Sequence, residues 1–336
     1  MFTGLLIGIA FGILLQRTQF CFVSGFRRLL FQKNTRFITM LLIAVSIQSI
    51  GLFCLAELEI IKIPQTTLPI MATIVGGLLF GIGMVLGNCC GSGAWFRSAE
   101  GALGSLLALV AFAITMASAQ TGSLHQFIDH WTQQTTEWDN IYLTLAISPW
   151  WLVGALILVT CGLSFLGNKS TDTEKLSFFD RTFKRPWNPY LGGLLIGLLG
   201  VLAWYLSAQT GRNYGYGIAV PSANVVQYLV IGQQRYLNWG SLFVLGIPLG
   251  SFLMAKISGD FRLKIPEPQE ALRRILGGVI MGLGAALAGG CTVTNALVAT
   301  AYFSWQGWIA TGCILIGCWF ANKWIVKNKR RKQYEI

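Results

Sequence analysis

Gly76 to Arg97 reads GGLLFGIGMVLGNCCGSGAWFR, and Gly277 to Ala296 reads GGVIMGLGAALAGGCTVTNA. The first stretch is apolar and Gly-rich and is expected to be helical to about residue 87. The small polar run Asn88-Cys89-Cys90-Gly91-Ser92-Gly93 then interrupts it, and the helix resumes at Ala94. In register with it, Gly76, Gly77, Gly81, Gly83, Leu86 and Cys90 fall on Gly277, Gly278, Gly282, Gly284, Leu287 and Cys291. A helix–break–helix unit that occurs twice, with a cysteine at each break, organises the rest of the chain.

Composition sets the class. Of 336 residues, 54% are hydrophobic and only 11% charged, with a mean hydropathy of +0.60. Soluble domains carry roughly 25% charged residues, so an all-α integral membrane protein in the lipid bilayer is expected. The net charge is +12. The basic residues lie between apolar runs, where they set topology, so no nucleic-acid partner is expected. Eight cysteines occur without a Cys-x-x-Cys pair, and His125 and His130 lie far from them. Neither a zinc site nor any other cofactor is expected. Met1 to Leu15 reads as a first membrane helix and not as a cleavable leader.

Apolar spans of roughly 17–25 residues can cross a bilayer. About nine are expected, at 3–18, 36–56, 69–87, 94–118, 147–166, 189–208, 238–256, 271–288 and 295–322. Short re-entrant half-helices are expected near 20–31 and up to about 232. Gly4-Leu-Leu-Ile-Gly8 recurs as Gly193-Leu-Leu-Ile-Gly197, so the first four spans match the last four. One extra span lies between them, so the halves enter from opposite sides, an arrangement many secondary transporters use. The division is therefore 1–118, first repeat; 119–188, outer loop, linking helix and inner linker; 189–322, second repeat; and 323–336, basic tail. Placing Arg27, Arg28, Lys33, Arg36, the linker with Lys169, Lys175, Arg181, Lys184 and Arg185, then Lys256, Arg262, Lys264 and the tail on the cytoplasmic side leaves Lys62, Arg212 and Arg235 on the outer side. The positive-inside rule then puts the N-terminus outside and the C-terminus inside. The glycines are expected to serve close helix packing.

Non-helical backbone at membrane depth must be covered by protein or line a polar cavity. The breaks at 88–93 and 289–294 are expected to face one another. Helix N-termini there would offer N–H groups and partial positive charge to an anion. Gly91, Ser92, Gly93, Thr292, Thr294 and Asn295 make a lining for a small one, with no acidic residue. Cys90 and Cys291 are mates, and Cys21 ends the first helix. Its counterpart is expected in the cysteine-free region around Thr210. A membrane cysteine taken singly packs as a small hydrophobe, the expected role of Cys54, Cys161, Cys313 and Cys318. Thiols paired at two breaks suggest a substrate bearing soft sulfur or selenium. Cys89 stands where the second copy has Gly290. Arg17 lies near a membrane end, where it either snorkels or draws anions to the cavity. Arg212 would mark an outer vestibule by the same logic. No nucleotide-binding Gly-x-x-x-x-Gly-Lys is present.

Arg17-x-x-Phe-Cys21-x-x-x-Gly-Phe-Arg27, Cys90-Gly-Ser-Gly-x-Trp-Phe-Arg97-x-x-Glu-Gly101 and Ala288-Gly-Gly-Cys291 resemble the three cysteine motifs of the YeeE/YedE membrane family, in its thiosulfate-transporter branch. The resemblance runs nearly the whole chain. It implies an hourglass of two inverted halves and thiosulfate uptake across the bacterial inner membrane. It also implies a narrow path where Cys21, Cys90 and Cys291 hydrogen-bond the anion. A small cytoplasmic TusA-like sulfur-carrier protein is the implied partner. The chain departs from the family where Asn88-Cys89 replaces Gly-Gly. Two rivals remain at this stage: a membrane sulfurtransferase forming a cysteine persulfide, and transport of another sulfur or selenium compound.

Overall fold

The structure, a computed structural model, describes residues 1–65, 67–166 and 187–334, with side chains to 165 and 325 at the two ends. The linker lysines and arginines of 167–186 and the basic tail side chains lie outside the described residues. The chain is all-helical. In order it forms α1 (Phe2–Thr18), α2 (Phe22–Gln32), α3 (Arg36–Glu57), α4 (Ile70–Gly87), α5 (Gly91–Ala99), α6 (Leu103–Thr121), α7 (His125–Thr132) and α8 (Ile141–Thr144). There follow α9 (Pro149–Leu166), α10 (Pro189–Ala208), α11 (Ala219–Ile231), α12 (Trp239–Ser258), α13 (Pro268–Leu287), a π-helical segment (Val293–Ala299) and α14 (Trp305–Tyr334).

Among the described residues, seven helical spans are long and apolar enough to cross a membrane. The described part of α9, Pro149–Phe165, is a shorter apolar helix. The charged first turns of α13 carry Glu270, Arg273 and Arg274, which dilute its hydropathy. Leu158, Phe165, Leu198, Leu202, Leu253 and Phe320 are exposed on helix faces. Helices apolar on both their buried and exposed sides are those of a multi-pass membrane protein.

The packing carries the internal repeat. α1 lies along α12 and α10 along α3; α13 packs on α6 and α14 on α4; α4 meets α13. The two members of that last pair run antiparallel. A Cβ at Gly76 would stand 2.5 Å from Ala288 N, and one at Gly83 would stand 2.6 Å from Met281 N. The start of α10 likewise meets the end of α1, at Gly192 and Thr18. Equivalent helices therefore point in opposite directions. Gly77 and Gly278 let α4 reach the Ala310 carbonyl and α13 the Ala108 carbonyl. Small residues bring backbones this close where no water drives helices together. Because the obstacles at Gly76 are backbone, Gly76→Val cannot be relieved by a rotamer change. We expect it to lose most folded protein, which size-exclusion of a fluorescent fusion measures.

The spans expected as continuous at 94–118 and 295–322 are each broken. After α5 the chain turns at Gly101, φ +98°, and bridges to the 262–264 connector: Leu103 N–H donates to Lys264 C=O at 3.1 Å and Arg262 N–H to Glu100 C=O at 3.0 Å. The mate of this turn, after the π segment, bridges to 139–141, where Ile141 N–H donates to Phe303 C=O at 2.8 Å. Each short helix is thus stopped by strand-like hydrogen bonds to a connector. The α14 backbone continues past the expected end at 322 to Tyr334.

Candidate functional site

Three cysteines sit at the same place in the same local structure. Gln19, Asn88 and Gly289 have positive φ, +50°, +53° and +71°, and each precedes a cysteine by two residues. The first two are left-handed helix C-caps. Phe20 N–H bonds Leu15 C=O at 3.2 Å and Cys89 N–H bonds Met84 C=O at 3.2 Å, the hydrogen bond that closes a Schellman turn. The turn throws the chain into an extended residue. Cys21 (φ −126°) caps α2 and Cys90 (φ −99°) caps α5. Cys291 stands just before the π segment. Cys21, Cys90 and Cys291 are all buried.

The breaks do face one another. A Cβ at Gly91 would lie 3.4 Å from Cys291 Cβ and 3.6 Å from its sulfur. Cys90 is within electrostatic reach of both Cys21 and Cys291. Gly93 N–H donates to Cys90 Sγ at 3.4 Å, and Ser92 Oγ lies 3.5 Å from the same sulfur. The first-turn amides of Gly91 and Ser92 have no intrahelical acceptor. The Cys291 sulfur is faced by the N–H groups of Val293, Thr294 and Ala219, and Thr294 Oγ1 is 3.8 Å from it. Thr292 Oγ1 is buried with no hydrogen-bond partner among the described residues. Asn295 spends its side-chain N–H groups on the break itself, bonding Gly290 C=O at 2.9 Å and Ala288 C=O at 3.2 Å. It braces the turn that presents Cys291.

Ala219 begins α11, the mate of α2. The position equivalent to Cys21 is therefore Ile218, which caps α11, and not the Thr210 region. Ile218 is fully buried, and its Cγ2 would lie 3.4 Å from a Cβ at Gly91. Four short helices thus start around one centre, three from a cysteine and one from an isoleucine.

Arg17 stands apart from this cluster. It is 2% exposed, with Nη2 3.5 Å from Asp260 Oδ2, and Gln16 Nε2 donates to the same oxygen at 3.0 Å. Arg97, quoted in a motif above but given no role there, is placed closer. Nη1 donates to Asn88 C=O at 3.0 Å, Nη2 reaches Ser24 Oγ at 3.5 Å, and Cys21, Cys89 and Cys90 all lie within its electrostatic reach. Glu100 follows it at the α5–α6 turn. Burial pushes the Glu100 carboxyl up and Arg97 opposes this. The signal for both was their spacing after Cys90.

Cys89 is buried, and its thiol bonds Gly87 C=O at 3.4 Å beside Met281 and Ala108. We therefore expect Cys89→Ala to fold normally and to lose about 1 kcal/mol or less in denaturant unfolding, the worth of one local thiol hydrogen bond. Cys54 and Cys161 are exposed, Cys313 is half-buried, and Cys318 is buried and bonded to Asn322. His125 and His130 belong to α7. Among the described residues no cluster of His, Cys, Asp and Glu could hold a metal.

Fold and site define a multi-pass membrane protein with cysteine-capped helix breaks at its centre. A family model described as sulphur transport matches residues 17–320, and the chain belongs to this family. It is 39% identical to the thiosulfate transporter TsuA of Escherichia coli (strain K12), over 98% of this chain and 96% of that one. It is 28% identical to the thiosulfate transporter TsuA of Spirochaeta thermophila, over 97% and 99%. A probable transporter, YedE of Escherichia coli, is 28% identical over 44% of this chain and 35% of its own.

Proposed function

We propose that this protein takes up thiosulfate across the bacterial inner membrane, with its N-terminus periplasmic and its C-terminus cytoplasmic. The observation that carries the reading is the convergence of three buried cysteines, each starting a short helix, beside one arginine. The S–H groups of Cys21, Cys90 and Cys291 hydrogen-bond the passing anion. The N–H groups at Gly91, Ser92, Gly93 and Thr292 stabilise its charge, and Asn295 holds one break in shape. Arg17 helps to hold the inner end of α1 through Asp260. Weak successive contacts suit conduction better than one tight site.

The chain works as a transporter and not as an enzyme. Passage without covalent change is favoured over a persulfide route, because the polar neighbours of the Cys90 sulfur are the Gly93 N–H and Ser92 Oγ, and neither is a base that would generate the thiolate. The halves 1–118 and 189–322 act as the two repeats around residues 119–188, with 323–336 as a basic cytoplasmic tail. A TusA-like sulfur carrier would dock on that basic inner face.

The test is growth of a thiosulfate-uptake-deficient bacterium on thiosulfate as sole sulfur source. It would carry wild type, the three single alanine variants of Cys21, Cys90 and Cys291, or Cys161→Ala as control. Rescue by wild type and Cys161→Ala alone is the expected result. No rescue by well-expressed wild type would overturn thiosulfate as cargo, and rescue by every variant would overturn the thiol path.

A further inference from the structure

The connector between α10 and α11, residues 209–218, returns the chain from the outer face to the centre. Arg212 lies on it. Its Nη1 donates to Gly215 C=O at 3.2 Å and reaches Ser207 Oγ at 3.5 Å. Its guanidinium carbon is 5.4 Å from the Trp239 ring and 5.6 Å from the Tyr214 ring. Trp239 marks the outer end of α12, where its Nε1 bonds Thr3 at 3.0 Å. Among the described residues no carboxylate forms an ion pair with Arg212, and the ring of Tyr214 lies beside it. Arg17 has Asp260 and Arg97 has Glu100 within reach. A half-buried cation without a counter-charge is costly.

A second donor stands beside it. Trp204 is fully buried, and its Nε1 has no hydrogen-bond partner among the described residues. A buried N–H left unpaired costs about 1–3 kcal/mol. The indole packs against Tyr214, with centroids 5.6 Å apart, and its Nε1 touches the space a Gly215 side chain would fill. The arginine and the indole therefore converge on Tyr214-Gly215. From there the polar groups continue inward. Tyr214 lies within electrostatic reach of Tyr302 and of Cys291.

We propose that Arg212 and the Trp204 indole N–H form an outer subsite for a small divalent oxyanion, where thiosulfate waits before it meets the thiols. The proposal rests on the transport reading above. Donors without a carboxylate select anions, and a fixed positive charge at the mouth raises the local concentration of substrate.

The test measures uptake of labelled thiosulfate into proteoliposomes against concentration and ionic strength, with isothermal titration of thiosulfate and of sulfate onto the purified protein. Arg212→Gln is expected to raise the half-saturating concentration about tenfold, with the maximal rate per folded protein little changed. It should also flatten the salt dependence of uptake. Trp204→Phe, which removes only the N–H, is expected to raise half-saturation about threefold or more. Arg212→Lys should fall between wild type and Arg212→Gln. Wild-type half-saturation and salt dependence in Trp204→Phe and in either Arg212 variant would overturn the subsite. So would a fall in maximal rate alone, the mark of an arginine that only holds the connector. Should Arg212→Gln not fold, Arg212→Lys and Trp204→Phe carry the test. Arg212-dependent binding by a wild type that transports nothing would sink the transport reading and leave the subsite standing.

Discussion

Replacing Cys90 or Cys291 by alanine is expected to reduce thiosulfate uptake to background. The serine variants separate the two jobs these residues do. Cys90 caps α5 through the Gly93 N–H, and a serine hydroxyl caps a helix well. Cys90→Ser should therefore fold as wild type does, or better. It exchanges a soft, weakly hydrated thiol for a hydroxyl that favours oxygen partners. Uptake per folded protein should still fall about tenfold or more, the loss of roughly one favourable contact at 1.4 kcal/mol per decade. The measurement is initial uptake normalised to membrane abundance. Full activity in Cys90→Ser would mean that the residue is only a cap.

Arg97→Gln is expected to have the next largest effect, a fall of more than about tenfold, because one guanidinium serves two positions. Its two nitrogens tie the Asn88 carbonyl, at the α4 break, to Ser24 on α2. The same charge lies within reach of Cys21, Cys89 and Cys90. Lysine keeps the charge but offers one nitrogen for two acceptors set apart. Arg97→Lys should recover part of the rate and little of the thermal stability. Thermal unfolding followed alongside uptake reads the two contributions separately. Equal, full recovery of both by Arg97→Lys would show that the charge suffices and the fork is unimportant.

The repeat was legible because glycines spaced for the α4–α13 crossing must be kept in both copies. Adding a Cβ at Gly76 or at its mate Gly277 drives it into the partner backbone. The break at Asn88 was legible from its small polar residues. The turn at Gly101 was not, because a glycine in an apolar run reads as packing, and the bridge to Lys264 that stops α5 is remote in sequence. Ile218 was hidden for a different reason. Three residues, 19–21, separate α1 from α2, whereas ten residues, 209–218, separate α10 from α11, so a constant register lands on Thr210. Arg97 carried a visible spacing but no visible partner, since Ser24 lies on another helix. The sequence likewise could not show that Asn295 would be spent on its own turn.

Ile218 gives the centre a handedness that the repeat alone would not. Along the proposed path a dehydrating ion meets sulfur at three of the four helix starts and a hydrocarbon branch at the fourth, Ile218. Water stripped off on that side is replaced by nothing polar, so the ion loses least by turning its least hydrated end there. Thiosulfate has two unlike ends, three oxygens and one sulfur, whereas sulfate presents oxygen in every direction. An ion with a sulfur end has a way to lie across Ile218 that an all-oxygen ion lacks. The isoleucine that breaks the pattern would then orient the cargo, and the cysteines that keep it would conduct it.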